Sequence, residues 1–416
     1  MNMMNSPAAA VPLMSERRVA IIGALLVALG PVSMALYSPA MPEIVHAFGT
    51  TEAAVKLTLS LYFAGFALAQ LFCGPLSDGF GRRPVTIAFM LIYLVASLAA
   101  LFSPSIDVLI AARFMQGVGA AVGVAISRAI VRDLFTNETS ARIMNLIGLI
   151  LAIGPAFSPV IGGLTMEAFG WHAIFGLMVL FGVVIIVVTM VSLRETVTRD
   201  LSRIRPAAIV RSYGTLMASR YFIYSSLIMG GTVGALYALA TMLPFILIER
   251  VGLTATQFGV SMLMQSGSYF FGSVAVKFVM PKLGSRRLVP IGLAFVVPGS
   301  IALFTLLHLF EPSFWTVMGP VGLYAFGIAF IMPAMTTASL APFPHIAGAA
   351  SSLSGFMQMG GGLLGSAVAV LIGEPVTAVA TVIPAMGMIS LLCWIGFRRL
   401  PEPTGPNPRP GDIVVG

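Results

Sequence analysis

Hydrophobic positions in this 416-residue chain run together in long blocks separated by short polar turns. Twelve blocks fall near 19–40, 55–77, 84–102, 107–130, 141–166, 172–193, 220–248, 257–280, 288–309, 313–336, 346–372 and 376–397. A helix needs about 20 apolar residues to cross the hydrocarbon of a bilayer. The strands of a membrane barrel are about ten residues long and alternate apolar with polar, a pattern absent here. The blocks predict an all-α membrane protein with twelve transmembrane helices. The first block reads as a span and not as a cleaved signal peptide. No small-residue cleavage site follows it, and "YSPAMPEI" leads straight into more apolar sequence.

The longest polar interruption, "LRETVTRDLSRIRPAAIVRSYGTLMASR", lies between the sixth and seventh blocks and contains Pro206. On either side the chain repeats itself. "DGFGRRPV" between blocks two and three has a counterpart in "PKLGSRRLV" between blocks eight and nine, each with a glycine just before an arginine pair. The glycine-rich fifth and eleventh blocks stand at nearly the same offset as those pairs. A duplicated six-helix unit would produce this, and parallel repeats are a recurring transporter design with the substrate site between the halves. The expected organisation is a tail 1–18, a six-helix bundle 19–193, a central loop 194–219, a second bundle 220–397 and a tail 398–416. The two bundles should be pseudo-symmetric.

Composition agrees, with 58% hydrophobic and 9% charged residues. The net charge of +8 raises the question of nucleic acid or anionic lipid. Its distribution answers it. With both ends on the cytoplasmic side, all Lys and Arg but Lys56, Arg250 and Arg113 fall there, while the acids divide evenly. That is the positive-inside bias of a membrane protein, so the basic excess is a topology signal and no nucleic-acid partner is expected. Cys73 and Cys393 lie in or beside predicted helices and imply no disulfide framework. His46, His172, His308 and His345 show no metal-ligand spacing.

Among the motifs, "CGPLSDGFGRRPV" is the most specific. Gly79 and Gly81 allow a tight turn, Pro84 suits a first helical turn, and Asp78 can pair with Arg82 and Arg83 or with helix ends of the other half. Within the fifth block, Gly154 and Pro155 remove a helical hydrogen bond and favour a kink. Neighbouring Pro159, Gly162 and Gly163 let a facing helix come close. The eleventh block has the same small-residue character from Gly348 to Gly365.

The combination of Gly74, Asp78, Gly81, Arg82 and Arg83 between two spans resembles the signature loop of the major facilitator superfamily. More narrowly, the chain is similar to the drug:proton antiporters of the bicyclomycin-resistance type. "ALYSPAMPEI" matches their signature at Tyr37, Pro39 and Pro42. "ARFMQGVGAA" matches the fourth-helix motif at Arg113, Gln116 and Gly117. "LAIGPAFSPVIGG" resembles the fifth-helix motif, and "AGAASSLSGFMQMGGG" the eleventh helix. The resemblance implies a monomeric exporter in the bacterial inner membrane that works by alternating access. It also implies a cytoplasmic latch at the signature loop and a hinge at Gly154, Pro155, Pro159, Gly162 and Gly163.

Arg113 poses the sharpest question. A guanidinium near the middle of a membrane helix costs about 2.5–3.5 kcal/mol on insertion scales, so it should face the bundle interior. The family's counter-charge sits on the first helix, four positions before the first signature proline, and here that residue is Ala35. Every Asp and Glu lies at a predicted helix end or loop, with Glu43 the nearest. Arg113 is therefore expected to lean on Gln116, Tyr37 and backbone carbonyls near Pro39 and Pro42. Coupling to protons could run through Glu43, Asp78 or water. A free charge in the central cavity would favour an anionic or dipolar substrate; otherwise Arg113 is a structural tie between helices one and four.

Met34, Tyr37, Tyr62, Phe66, Tyr237, Gln265, Tyr269 and Gln358 are the midplane candidates for a pocket. The 25 Met and 28 Phe would make it adaptable. With no phosphate-binding loop the energy source must be a gradient, and no catalytic cluster or cofactor signature points to an enzyme. The expected function is export of small amphipathic compounds or drugs in exchange for protons; uptake or facilitated diffusion of a metabolite is the alternative.

Overall fold

The structure, a computed structural model, describes residues 13–401 apart from 136 and 205. Most of the two predicted tails, 1–12 and 402–416, lies outside the described residues. The first block forms α1 (Glu16–Tyr37), capped by the Ser15 hydroxyl, which accepts from the Arg18 amide. Pro39 interrupts it with a 3₁₀ turn at Ser38–Ala40, and α2 (Met41–Phe48) continues to Gly49, whose φ of +56° ends the helix. α3 (Glu52–Phe80) and α4 (Arg82–Leu101) follow. The fourth block is split at Ala121 into α5 (Ile106–Ala120) and α6 (Val122–Leu134). α7 (Asn137–Phe169) and α8 (Trp171–Ser192) complete the first half.

The connector contains a helix that the hydrophobic pattern does not announce, α9 (Pro206–Ala218). Proline suits its first turn, and its apolar side is short, so it never registers as a block. Leu216 is buried against Phe222, Ala350 and Leu353, and the Tyr213 hydroxyl donates to the Leu71 carbonyl at 2.5 Å. The connector is thereby bound to both halves.

The second half holds α10 (Arg220–Pro244), extended by a wider π turn at Phe245–Arg250, then α11 (Ala255–Leu283) and α12 (Ser285–Leu309). α13 (Phe314–Leu340), α14 (Ala347–Ile372) and α15 (Pro375–Phe397) close the fold. Ten spans among the described residues are long and apolar enough to cross a membrane. The remaining two of the twelve blocks correspond to α7, which includes undescribed side chains, and to α11. Ser261, Gln265, Ser266, Ser268 and Ser273 make α11 the more polar span.

Buried apolar side chains gather in two large clusters. One runs from Met14 to Leu193, with Phe245 added; the other runs from Ile228 to Phe397. In lipid such helices associate through close packing more than through any hydrophobic drive. Glycines make that packing possible. A methyl at Gly123 would overlap the Leu26 carbonyl, and methyls at Gly65 and Gly117 would overlap the Phe114 and Tyr62 carbonyls. The halves meet along two seams, α3 against α14 and α7 against α11, the same pair of positions exchanged by the repeat.

Candidate functional site

Between the halves lies a cavity of about 630 Å³. α1 supplies Met34 and Ala35 to its wall and the 3₁₀ turn after it Ser38; α7 supplies Pro155, Phe157 and Pro159. Across from them stand Leu236 and Tyr237 of α10, Met262, Gln265 and Tyr269 of α11, and Ile328 and Met332 of α13. Among the described residues the lining carries no charged side chain. Its polar groups are a few hydroxyls and one amide, at Ser38, Tyr237, Gln265, Ser266 and Tyr269. The Tyr269 hydroxyl is turned to the Met332 sulfur at 3.2 Å.

Arg113 is not on that wall, contrary to the expectation that it points into the central cavity. It is fully buried in the first bundle, its guanidinium 4.4 Å from the centre of the Tyr37 ring and 4.4 Å from that of Tyr62. A cation between two desolvated aromatic faces is attracted by both ring quadrupoles. One amino group also donates to the Gln116 side-chain oxygen, one turn along the same helix. The Gln116 amide nitrogen donates onward to Ser97 at 2.8 Å and to the Met178 sulfur at 3.3 Å. Gln116 and Tyr37 thus hold the charge as expected, but the carbonyls near Pro39 and Pro42 do not. Tyr62 takes their place because Gly65 and Gly117 bring α3 and α5 into backbone contact one turn away. That approach is invisible to local spacing. The rings are fixed in turn: the Tyr37 hydroxyl bonds with Thr58 at 2.6 Å, and the Tyr62 hydroxyl donates to the Gly30 carbonyl at 2.9 Å. Arg113 Nε and Nη2 have no acceptor among the described residues.

The midplane candidates therefore separate into two groups. Met34, Tyr237, Gln265 and Tyr269 line the cavity, whereas Tyr37, Tyr62, Phe66, Arg113 and Gln116 lie in the first bundle's core. Gln358 is half-buried on α14 and belongs to neither group; Glu43 is exposed on α2. Sequence reasoning missed Ser38 and Phe157. The proline signature ending α1 was the available signal for Ser38, since a 3₁₀ turn there aims the residue at the seam.

Each face of the molecule has its own fastening. On the face carrying most of the arginines, Arg82 binds Asp78 at 2.5 Å, Ser77 at 2.6 Å and Asp133 of α6 at 3.0 Å. The Glu195 carboxylate accepts from the Arg82 and Arg83 amides at 2.8 and 3.1 Å, capping α4 where Gly81 turns with φ +105°. Among the described residues Asp78 thus pairs with an arginine of its own loop, not with the other half. Among the described residues the halves are bridged on this face by Arg128 to Ser351 at 3.0 Å and by Gln70 packed on Gly355, and Gly74 faces Ser352.

On the opposite face the buried Lys56 donates to Glu52 at 2.8 Å. It reaches across the seam to the Gly373 carbonyl at 3.3 Å, and sits 4.8 Å from the centre of the Phe245 ring. Glu167 accepts from the Thr256 amide at 2.8 Å, and its carboxyl is hydrogen-bonded there across the α7–α11 seam. Glu52→Gln should destabilise the protein by about 1–2 kcal/mol. Losing one partner of a buried pair costs about 3–5 kcal/mol, and partial exposure of Glu52 screens that. Melting in detergent measures it, and Glu52→Gln combined with Lys56→Met should recover most of the loss; additive losses would contradict the pairing.

Pro155 and Pro159 face the cavity while α7 continues through both as one helix. Gly154 packs by Val32, Gly162 lies against the Leu36 carbonyl, and Gly163 against the Ala255 carbonyl of α11.

Two six-helix bundles around a midplane cavity define a polytopic membrane transporter. Residues 22–366 match the family model of the major facilitator superfamily, and the chain belongs to that family. It is 29% identical over 381 residues to multidrug resistance protein D of Escherichia coli, covering 89% of this chain and 93% of that one. Over 391 residues it is 28% identical to the uncharacterized transporter YdgK of Bacillus subtilis, with 92% and 95% covered. A multidrug resistance protein MdtL of Salmonella paratyphi B is 28% identical over 353 residues, 84% of this chain and 87% of that protein. In fold it is similar to a D-xylose–proton symporter, with a TM-score of 0.73, 14% identity, and 94% and 99% covered. The human organic anion transporter MFSD10 gives a TM-score of 0.66 at 18% identity, with 91% and 99% covered.

Proposed function

We propose that the protein is a secondary active exporter of small amphipathic compounds, of the bicyclomycin-resistance drug–proton antiporter type. The observation that carries this is the charge-free, methionine- and aromatic-lined cavity at the seam between the halves. The likeness to multidrug resistance proteins supports it. A cavity without a fixed charge selects by apolar area and shape, and methionines repack around different guests. Because Arg113 is walled off, an anionic substrate is not favoured. We place the arginine-rich face in the cytoplasm of a bacterial cell, with both ends there, and take 19–193 and 220–397 as the units that rock. The working form is a monomer in contact with membrane lipids. The cytoplasmic latch is built on Asp78, Arg82 and Arg83, with Gly74 and Gly81 giving the backbone its room.

Ala35 leaves the cavity wall without a carboxylate, and neither Glu43 nor Asp78 lies on it. Proton and substrate then compete for conformations of the two halves instead of one shared group. Overexpression in an efflux-deficient host should raise tolerance to neutral lipophilic drugs. Purified protein in proteoliposomes should move such a compound only when a pH gradient is imposed. Lowered tolerance, or transport indifferent to the gradient, would refute export by antiport.

A further inference from the structure

On the arginine-rich face a cation bridges the two halves. Arg128 stands on α6, about 9 Å before that helix ends at Leu134, and donates to the Ser351 hydroxyl of α14 at 3.0 Å. Its guanidinium is charged at any ordinary pH. No carboxylate among the described residues pairs with it. The acids of the signature loop and of α6, Asp78 and Asp133, are both held by Arg82. One turn further out on the same side of α6, Arg132 is exposed and adds a second positive charge.

The bridge belongs to a thin layer that shuts this end of the seam. Gln70 lies against Gly355, and Gly74 against Ser352. Ser127, beside Arg128, faces Gly23 of α1, and Met34 on the cavity wall stands about 17 Å further along that helix. A compound arriving from the cytoplasm reaches the cavity by passing this layer once it parts. Parting takes the Ser351 hydroxyl away and leaves the guanidinium on the wall of the mouth. Low-dielectric walls lined by one sign of charge focus its field, and repulsion rejects a wrong ligand as surely as attraction selects a right one.

We infer that Arg128 is a specificity-determining residue, a fixed positive charge at the cytoplasmic mouth that turns away lipophilic cations and admits neutral compounds. This rests on the export reading and narrows its substrate class. Beyond the mouth, the described cavity lining offers no carboxylate to offset the desolvation of a cation. The cavity thus discriminates by binding, and Arg128 by entry.

Transport in proteoliposomes under an imposed pH gradient tests it, with Nile red as the neutral probe and tetraphenylphosphonium as the cation. Wild-type protein and Arg128→Lys should carry tetraphenylphosphonium about tenfold more slowly than Nile red, since like charges brought together are strongly disfavoured. Arg128→Gln should raise the tetraphenylphosphonium rate about fivefold with Nile red export unchanged. Ser351→Ala breaks the bridge but keeps the charge, so it should still exclude the cation. Continued exclusion by Arg128→Gln would overturn the inference, as would equal rates for both probes in wild-type protein. Admission of the cation by Ser351→Ala would make the bridge, not the charge, the barrier. The charge can also be read without transport. In a Cys73→Ala, Cys393→Ala background, Ser351→Cys should react about fivefold faster with an anionic methanethiosulfonate than with a cationic one, and adding Arg128→Gln should abolish the difference. Equal reaction rates with Arg128 in place would overturn the inference even where Arg128→Gln does not fold. If wild-type protein moves neither probe under a pH gradient, the export reading fails, while the thiol comparison still decides whether Arg128 sorts molecules by charge.

Discussion

Arg113→Met is expected to leave the melting temperature unchanged or higher while lowering transport at least tenfold, about 1.4 kcal/mol in activation free energy. Burying a cation without a carboxylate costs several kcal/mol. Two desolvated cation–π contacts at about 2 kcal/mol each and one charged hydrogen bond at about 1.5–3 kcal/mol only roughly offset it. Methionine fills a similar volume without the charge, and exchanging buried charges for apolar side chains is often neutral or stabilising. Arg113→Ala instead leaves a cavity and should destabilise by about 2–5 kcal/mol. Arg113→Lys keeps the charge but loses the planar stack on Tyr37 and Tyr62, so it should also destabilise. A residue that returns no net stability is retained for what it does.

The role these contacts lead us to propose is positioning. Tyr37 stands at the last turn of α1, next to the Ser38–Ala40 break, and Met34, Ala35 and Ser38 of the same segment form cavity wall. Through Tyr37 the guanidinium sets where that wall stands, and through Gln116 it reaches α4 and α8. Two of its nitrogens lack acceptors among the described residues, so a second conformation that supplies them would be favoured. Thermal melts and proteoliposome transport on the three variants check this. A large stability loss in Arg113→Met with normal transport per folded molecule would make the arginine a structural tie alone.

How far the sequence reads depends on the range of the interaction. The spans were legible because hydrocarbon demands long apolar blocks, and the arginine–glutamine contact because three residues bring side chains to one helix face. The Tyr62 half of the sandwich was not, since it depends on glycines of α3 and α5 meeting carbonyls far away in sequence. Nor was the direction of Arg113: one polar residue on an apolar helix says that it avoids lipid, not whether it faces the bundle core or the seam. Ala35 was informative in the opposite sense. An alanine where the resemblance implies an acid anticipates a cavity wall without charge, as Met34, Ala35 and Ser38 present it. The connector helix α9 stayed hidden because its burial relies on Ala350 and Leu353 of α14.

The second large effect should come from one methyl group at Gly259. In a helix, alanine is favoured over glycine by about 1 kcal/mol, and Gly176→Ala in α8, with open space around it, should show that gain and normal transport. At Gly259 the added methyl would overlap the Pro159 carbonyl, a backbone atom that cannot swing away. Overpacking of this kind costs about 1–3 kcal/mol, which exceeds the propensity gain. The strain is relieved most cheaply by parting α7 from α11 on the external side, where Gly163 and Ala255 also touch. Gly259→Ala is therefore expected to favour the outward-open arrangement. In the background lacking Cys73 and Cys393, Ala255→Cys should react with a membrane-impermeant maleimide at least tenfold faster when Gly259→Ala is present. Net export should fall in parallel, because halves held apart outside can no longer complete the cycle. Equal labelling rates with and without the methyl would mean that the contact between these two helices does not close the external path, and the seam would have to be sought along Lys56 and Gly373 instead.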